Sequence, residues 1–373
     1  MKLGFIVNPI AGMGGKVGLK GTDNILKKAK AKGAKPIAPK RAEEFLKKLK
    51  ENTPKTTNIT LLTCPNIMGE QEAAAAGITA RLLPMKTRKE TTAEDTKNAT
   101  KLLTKAKVDL IVFVGGDGTA KDILDALKHP NETPVLGVPS GVKMYSGVFA
   151  VNPADAADIV LAFAEKKAET AEFEVMDTDE EAIRRDTFAV KLHGFLKTPF
   201  IPMLIQGSKQ VSPETTDERE NQTAIARFII EEMQPQATYI LGPGTTVKRL
   251  AELLGVEKTL LGVDIYAKGK ATLDVNEKQI LQHTKDWKNT WIIISPIGHQ
   301  GILLGRGNQQ ISPTIIKHVG KQHIIVAATK NKLQSTEGNS LRVDTGDNET
   351  DTLLRGYIRV VTDYKEWRLV PVK

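Results

Sequence analysis

Apolar residues fall into short runs, each followed by a stretch with helical spacing. The clearest run is Val108-Asp109-Leu110-Ile111-Val112-Phe113-Val114, which ends in Gly115-Gly116-Asp117-Gly118-Thr119. Ala120, Ile123, Leu124 and Leu127 then recur at the i, i+3, i+4, i+7 spacing of an amphipathic helix. The same reading predicts strands over 3–8, 59–63, 78–83, 108–114 and 134–138, with helices near 70–76, 92–107 and 119–128. Asn152-Pro153 opens another helix, with Pro at its first position and Ala157, Val160, Leu161 and Ala164 on one face. Strands regularly separated by helices predict a doubly wound, mostly parallel sheet, which takes its ligands at the carboxyl ends of the strands.

The pattern changes near 168–178. Runs at 188–192 and 199–205 suggest a strand pair around His193-Gly194, and the polar stretch 207–219 suggests a loop. Helical spacing returns with Ile225, Phe228, Ile229 and Met233. The strand-then-glycine pattern resumes at Thr238–Leu241, Leu260–Asp264 suggests a strand ending in a carboxylate, and apolar runs follow at 291–294 and 324–328. Segments 356–361 and 368–372 resemble an antiparallel pair. The fold class expected is α/β, with a parallel-sheet domain over 1–165 and a mixed α/β domain over 166–373, whose tail could pack back on the first. A ligand cleft is expected between the two, since domain interfaces favour such sites.

Composition narrows the function classes. Hydrophobic residues make up 40% and charged residues 26%, as in ordinary globular proteins, and no apolar run approaches a membrane span. The start of the chain lacks a signal-peptide pattern, and one cysteine, Cys64, fits a reducing compartment; the cytoplasm is expected. The six histidines show no metal-ligand spacing, so no resident metal is expected. Net charge is +9, but the first 60 residues hold 14 Lys/Arg against 4 Asp/Glu, leaving the remainder near neutral. These lysines interleave with Ala and Leu as on solvated helix faces. Only Phe45 lies among them to stack on a base, so specific nucleic-acid binding is not expected.

The glycine turns carry the candidate chemistry. Asn8, Gly12, Gly14 and Gly15 follow the first strand, and Ser140-Gly141 follows the strand 134–138. Glycine lets a backbone approach a ligand closely, and a helix N-terminus favours an anion. A carboxylate is the wrong charge for holding phosphate, so Asp117 either accepts a proton from a hydroxyl being phosphorylated or caps the helix. Lys143 is a phosphate-neutralising or a surface lysine. Gly244-Thr245-Thr246 opens a helix as a second anion site. Arg306, between two glycines, either offers its guanidinium to a phosphate or carboxylate, or pairs with Asp344 or Asp347. Asp177, Asp179, Glu180 and Glu181 could serve magnesium, a ribose hydroxyl or a helix cap.

Three of these segments also carry a family resemblance. Gly115-Gly116-Asp117-Gly118-Thr119 resembles the signature of the superfamily joining NAD kinases with diacylglycerol and sphingosine kinases. Gly4-Phe5-Ile6-Val7-Asn8-Pro9 with its glycines, and Pro134–Gly141, match in the expected order. Gly242–Thr246, Gly305–Gln309 and Leu341–Asp347 resemble the prokaryotic ATP-NAD kinase-like branch, which includes the acetoin-catabolism X protein. With that branch the resemblance covers nearly the whole chain. It implies a kinase that takes phosphate from ATP or polyphosphate, with Mg2+ arriving on ATP and NAD or a similar nucleotide as acceptor. It implies phosphate contacts from Asn8, Gly12, Gly14, Gly15, Gly115, Gly116, Gly118, Thr119, Ser140 and Gly141. A lipid or sphingoid kinase and a non-catalytic nucleotide-binding regulator are the alternatives, and a homo-oligomer is compatible with all three. Two departures bear on the acceptor. The NAD kinase Asn-Glu pair is replaced by the acidic cluster, and the lipid kinase continuation by Gly141-Val142-Lys143-Met144-Tyr145.

Overall fold

The computed structural model describes residues 1–13, 34–54, 56–86, 90–127, 133–141, 144–178, 190–201, 204, 216–297 and 301–373. They divide into two compact units, one holding the described residues up to Leu204 and the other those from Thr216 onward.

In the first unit β1 (Lys2–Val7), β2 (Thr60–Thr63), β3 (Arg81–Leu82), β4 (Leu110–Gly115) and β5 (Val135–Pro139) make one sheet, ordered β3-β2-β1-β4-β5. Every pairing is parallel. The helices α1 (Ala38–Asn52), α2 (Glu70–Ala75), α3 (Ala93–Lys105) and α4 (Asp117–Ala126) lie in the connections, and α5 (Pro153–Ala164) follows β5. Alternate strand residues feed opposite layers. Leu3, Phe5, Val7, Val112 and Val114 pack with Phe45 of α1 and Val160 of α5. Ile6, Ile111 and Phe113 pack with Leu103 of α3 and Ile123 of α4. With both faces covered, all six residues of β4 are buried, which is why its sequence is continuously apolar. On α1, Ala42, Phe45, Leu46 and Leu49 are buried while Lys40, Lys47 and Lys50 are exposed. Cys64, just past β2, is buried in the same core.

Local signals set the helix starts. Thr92 and Asp95 form a reciprocal capping box on α3. Asn152 Oδ1 accepts from Asp155 N at 2.9 Å ahead of Pro153 on α5. The chain winds outward from β1 to β3, then returns to β4 on the other flank of β1. The boundary between β1 and β4 is therefore the topological switch point, where such sheets receive ligands.

The first unit runs past residue 165. β6 (Glu169–Thr178) and β7 (Val190–Phe200) form an antiparallel hairpin that belongs to it. This corrects the expected break at His193-Gly194: β7 is one strand running through both residues. A register shift opposite Val175 and Met176 leaves His193 unpaired in the ladder, so the chain bulges instead of turning. The His193 ring lies 2.7 Å from Asp125 Oδ1 of α4 through Nε2.

The second unit holds strands β8 (Thr238–Leu241), β9 (Asp264–Ala267), β10 (Lys270–Thr272), β11 (Thr290–Ile294), β12 (Ile302–Leu304), β13 (Ile324–Ala327), β14 (Arg342–Val343), β15 (Gly356–Asp363) and β16 (Glu366–Val372). Its helices are α6 (Thr216–Glu232), α7 (Thr245–Leu253), α8 (Glu277–His283), α9 (Pro313–Val319), α10 (Lys330–Gln334) and α11 (Asn348–Leu354). The main sheet runs β10-β9-β8-β11-β13-β15-β16. Its centre, β8 to β15, is parallel, whereas β9, β10 and β16 join antiparallel, so the sheet is mixed. The expected strand 260–264 begins where it should have ended. Asp264 is fully buried and accepts from Lys258 Nζ and Thr259 N, each at 3.0 Å, which folds the preceding residues into a turn.

Candidate functional site

In the first unit the predicted turns meet at the carboxyl ends of three adjacent strands, β1, β4 and β5. Asn8 continues β1, and its N–H donates to Val114 O of β4 at 3.0 Å. Its side-chain Nδ2 donates to Thr119 Oγ1 at 2.9 Å, so the first motif is bonded directly to the second. Ser140 N donates to Gly115 O at 3.0 Å, which adds the third. Gly12 has φ +77°, and a Cβ there would lie 1.8 Å from the Ser140 carbonyl oxygen, so only glycine fits. Gly116 and Gly141 face each other closely: a Cβ on Gly116 would come 3.4 Å from the Gly141 Cα. Gly14, Gly15 and Lys143 lie outside the described residues, as do Asp179, Glu180 and Glu181. Asp177 lies in β6 opposite Lys191.

Asp117 is the first residue of α4, and Gly116 occupies the cap position without any side chain to cap with. The carboxylate therefore does not cap its own helix. It reaches across to the loop after β5, where Oδ2 accepts from Tyr145 N at 2.7 Å and Oδ1 from Ser146 N at 2.9 Å. Ser146 Oγ in turn accepts from Met176 N of β6 at 2.9 Å, so the chain of bonds runs from helix start to hairpin. Asp117 is only 6% exposed, and hydrogen bonds to an ionised group there are worth about 1.5–3 kcal/mol each. The buried Tyr145 phenol has its pKa pushed up, by desolvation first and then by the Asp117 charge. Gly116 is half-buried and Gly118 exposed on either side of the carboxylate. Thr119 is buried against Gly115, and the buried Ser140 hydroxyl lacks a hydrogen-bond partner in the structure. Tyr145 and Ser146 are contributors that sequence reasoning missed. They act through backbone N–H groups, which every non-proline residue carries.

The second unit carries Gly242–Thr246 at the carboxyl end of β8. Gly244, at φ +115°, precedes α7, and Thr245 Oγ1 accepts from Gln222 Nε2 of α6 at 3.2 Å. Arg306 is buried. Its Nε lies 3.1 Å from Asp344 Oδ2, with the two side chains 4% and 6% accessible. The reason is local: Gly305, at φ +121°, packs on the Asp344 carbonyl, and Gly305 N donates to Asn308 Oδ1 at 2.9 Å. Asp347 serves elsewhere, capping α11 at Thr350 N and pairing with Lys317. Among the described residues, no group of three or more His, Cys, Asp or Glu could hold a metal ion.

The chain's likeness to known proteins covers both sets of turns. The ATP-NAD kinase N-terminal domain matches residues 3–168, and the ATP-NAD kinase C-terminal domain matches residues 235–372. The chain belongs to the ATP-NAD kinase family. It is accordingly a kinase of the NAD-kinase type; the segments from Asn8 to Gly141 fall within the first match and those from Gly242 to Asp347 within the second. No curated protein matches it. Among solved structures it is similar to UDP-GlcNAc 2-epimerase from Neisseria meningitidis bound to UDP-GlcNAc, at 16% identity and a TM-score of 0.23. That match covers 37% of this chain and spans 32% of the epimerase chain. Among the described residues no helix is long and apolar enough to cross a membrane.

Proposed function

We propose that this kinase transfers a phosphoryl group from ATP, or from polyphosphate, to a hydroxyl of NAD or a related nucleotide, with Asp117 as general base. The observation that carries the reading is the placement of Asp117. It is a buried, oriented carboxylate between two glycines at the switch point of a parallel sheet. The Gly12, Gly116 and Gly141 turns and the Ser140 hydroxyl receive the donor phosphates. Magnesium would arrive with the triphosphate and offset its charge. Asp117 takes the proton from the acceptor hydroxyl as that oxygen bonds to the terminal phosphorus, and the bond from phosphorus to the leaving phosphate breaks. Tyr145 N and Ser146 N fix the direction in which the carboxylate faces. Gly244–Thr246 contributes a second nucleotide-phosphate contact.

Initial rates of phosphoryl transfer to NAD, with ATP and polyphosphate as alternative donors, test this. Transfer to a diacylglycerol or sphingoid base in place of NAD would move the protein to the lipid kinases. Tight ATP binding with no transfer to any acceptor would favour a regulator.

A further inference from the structure

A half-buried ammonium of the second unit is held by a hydroxyl and not by a carboxylate. Lys332 of α10 places Nζ 3.0 Å from Ser295 Oγ, and among the described residues no carboxylate comes within ion-pair distance of it. Desolvation brings its pKa down to about 8, against the opposing field of Glu218. Glu218, on α6, is engaged by Thr329 Oγ1 at 2.7 Å and Asn331 Nδ2 at 3.4 Å.

Ser295, which accepts from the ammonium, brings Lys332 close to the start of α7. Ser295, 2% exposed, stands just past β11, and a Cβ on Gly244 would lie 3.9 Å from its Cβ. Gly244 is the cap of α7, whose first N–H groups point out of the helix without intrahelical partners. Thr246, in that first turn, is 2% exposed, and its hydroxyl has no hydrogen-bond partner in the structure. An ammonium that has lost part of its hydration beside the positive end of a helix is unfavourable twice over, for desolvation and for like charge. A bound anion relieves both terms. The location agrees, because β8, β11 and β13 are parallel neighbours and these groups sit at their carboxyl ends.

We propose that Lys332, Ser295, Thr246 and the first turn of α7 form a binding site for a nucleotide phosphate. The proposal rests on reading Gly244–Thr246 as a phosphate turn and adds the cation and hydroxyls that complete it. Lys332 supplies the charge and Ser295 holds the ammonium in place. Thr246 and the α7 N–H groups supply directed hydrogen bonds. The Glu218 field selects against a doubly charged phosphate monoester, so the site suits the singly charged phosphodiesters of a dinucleotide diphosphate.

Calorimetric titration of the full chain with NAD, AMP and inorganic phosphate tests the site, with thermal unfolding run beside it. Lys332→Met should weaken NAD binding roughly 10–100-fold, the loss expected for a charge-assisted hydrogen bond. Its unfolding temperature should not fall, since a partly desolvated charge has been removed. Thr246→Val, nearly isosteric, should weaken NAD several-fold and guards against misfolding of the first variant. Wild-type affinity for NAD in both variants would overturn the proposal, as would a wild type that binds none of the three. AMP or free phosphate binding more tightly than NAD, lost in Lys332→Met, would overturn the diester preference. NAD bound through Lys332 but never phosphorylated ends the kinase reading alone. Transfer to NAD with full affinity in both variants ends only this one.

Discussion

Asn8 and Thr119 stand 111 residues apart, yet Nδ2 of one donates to Oγ1 of the other at 2.9 Å across the switch point between β1 and β4. The bond locks the glycine loop after β1 to the first turn of α4. Asn8→Ala and Thr119→Ala should each lower the urea midpoint, and the double variant should fall short of the sum by about 1 kcal/mol. Strict additivity would mean that the bond contributes nothing.

Asp117→Asn tests chemistry and tether together. An amide can accept from only one of the two N–H groups and turns its own NH2 toward the other. Stability should therefore drop by about 1–3 kcal/mol. Turnover, measured well below the unfolding transition, should drop by roughly 10²–10⁴-fold. A folded variant that keeps most of its turnover would show that Asp117 holds the loop and does no more.

Gly12 and Gly116 should respond differently to a single methyl group. Gly12→Ala drives a Cβ into the Ser140 carbonyl at positive φ, so little folded protein is expected. At Gly116 the backbone is extended, φ −127° and ψ −166°, and among the described residues the new methyl group meets Gly141 alone. Gly116→Ala should fold at a cost of about 1 kcal/mol or less. It should still bind ATP roughly tenfold or more weakly, because the methyl group takes up ligand space. Unchanged ATP affinity in the folded variant would place the phosphates elsewhere.

Glu72 of α2 makes the native state pH-sensitive. Burial first, then the charge of Glu43, pushes its carboxyl up from 4.5 to about 7, against stabilising backbone N–H groups. Between those values the native state holds the proton more tightly than the unfolded chain does. Stability therefore falls as pH rises from 4.5 and levels off above 7. Glu72→Gln should be the more stable form above pH 7, by up to about 3 kcal/mol, and should match the wild type below 4.5. Thermal melts across that range decide it, and a constant difference between the two would acquit Glu72.

Much of this was legible in the chain. The parallel sheet follows from apolar runs ending in glycine turns, whereas the switch point needs the strand order that only the structure supplies. Other features left no trace. The donors to Asp117 are backbone groups, and strands as short as β12 and β14 carry too few residues for a period to show. Gly194 looked like a break because a bulge and a turn use the same residue. Arg306 had two readings, because its glycine neighbours are shared by open loops and by tight packing, and only the contact with Asp344 separates the two.

The placement of Cys64 gives the chain two independent reporters. The protein's single cysteine is buried in the first unit, with its thiol pKa pushed up to about 12 by desolvation. All three tryptophans, Trp287, Trp291 and Trp367, belong to the second unit. Thiol labelling therefore times the opening of one unit and indole fluorescence the opening of the other. With the unaltered protein, those two signals reveal whether the units melt as one body or in succession, and which of them a given nucleotide protects.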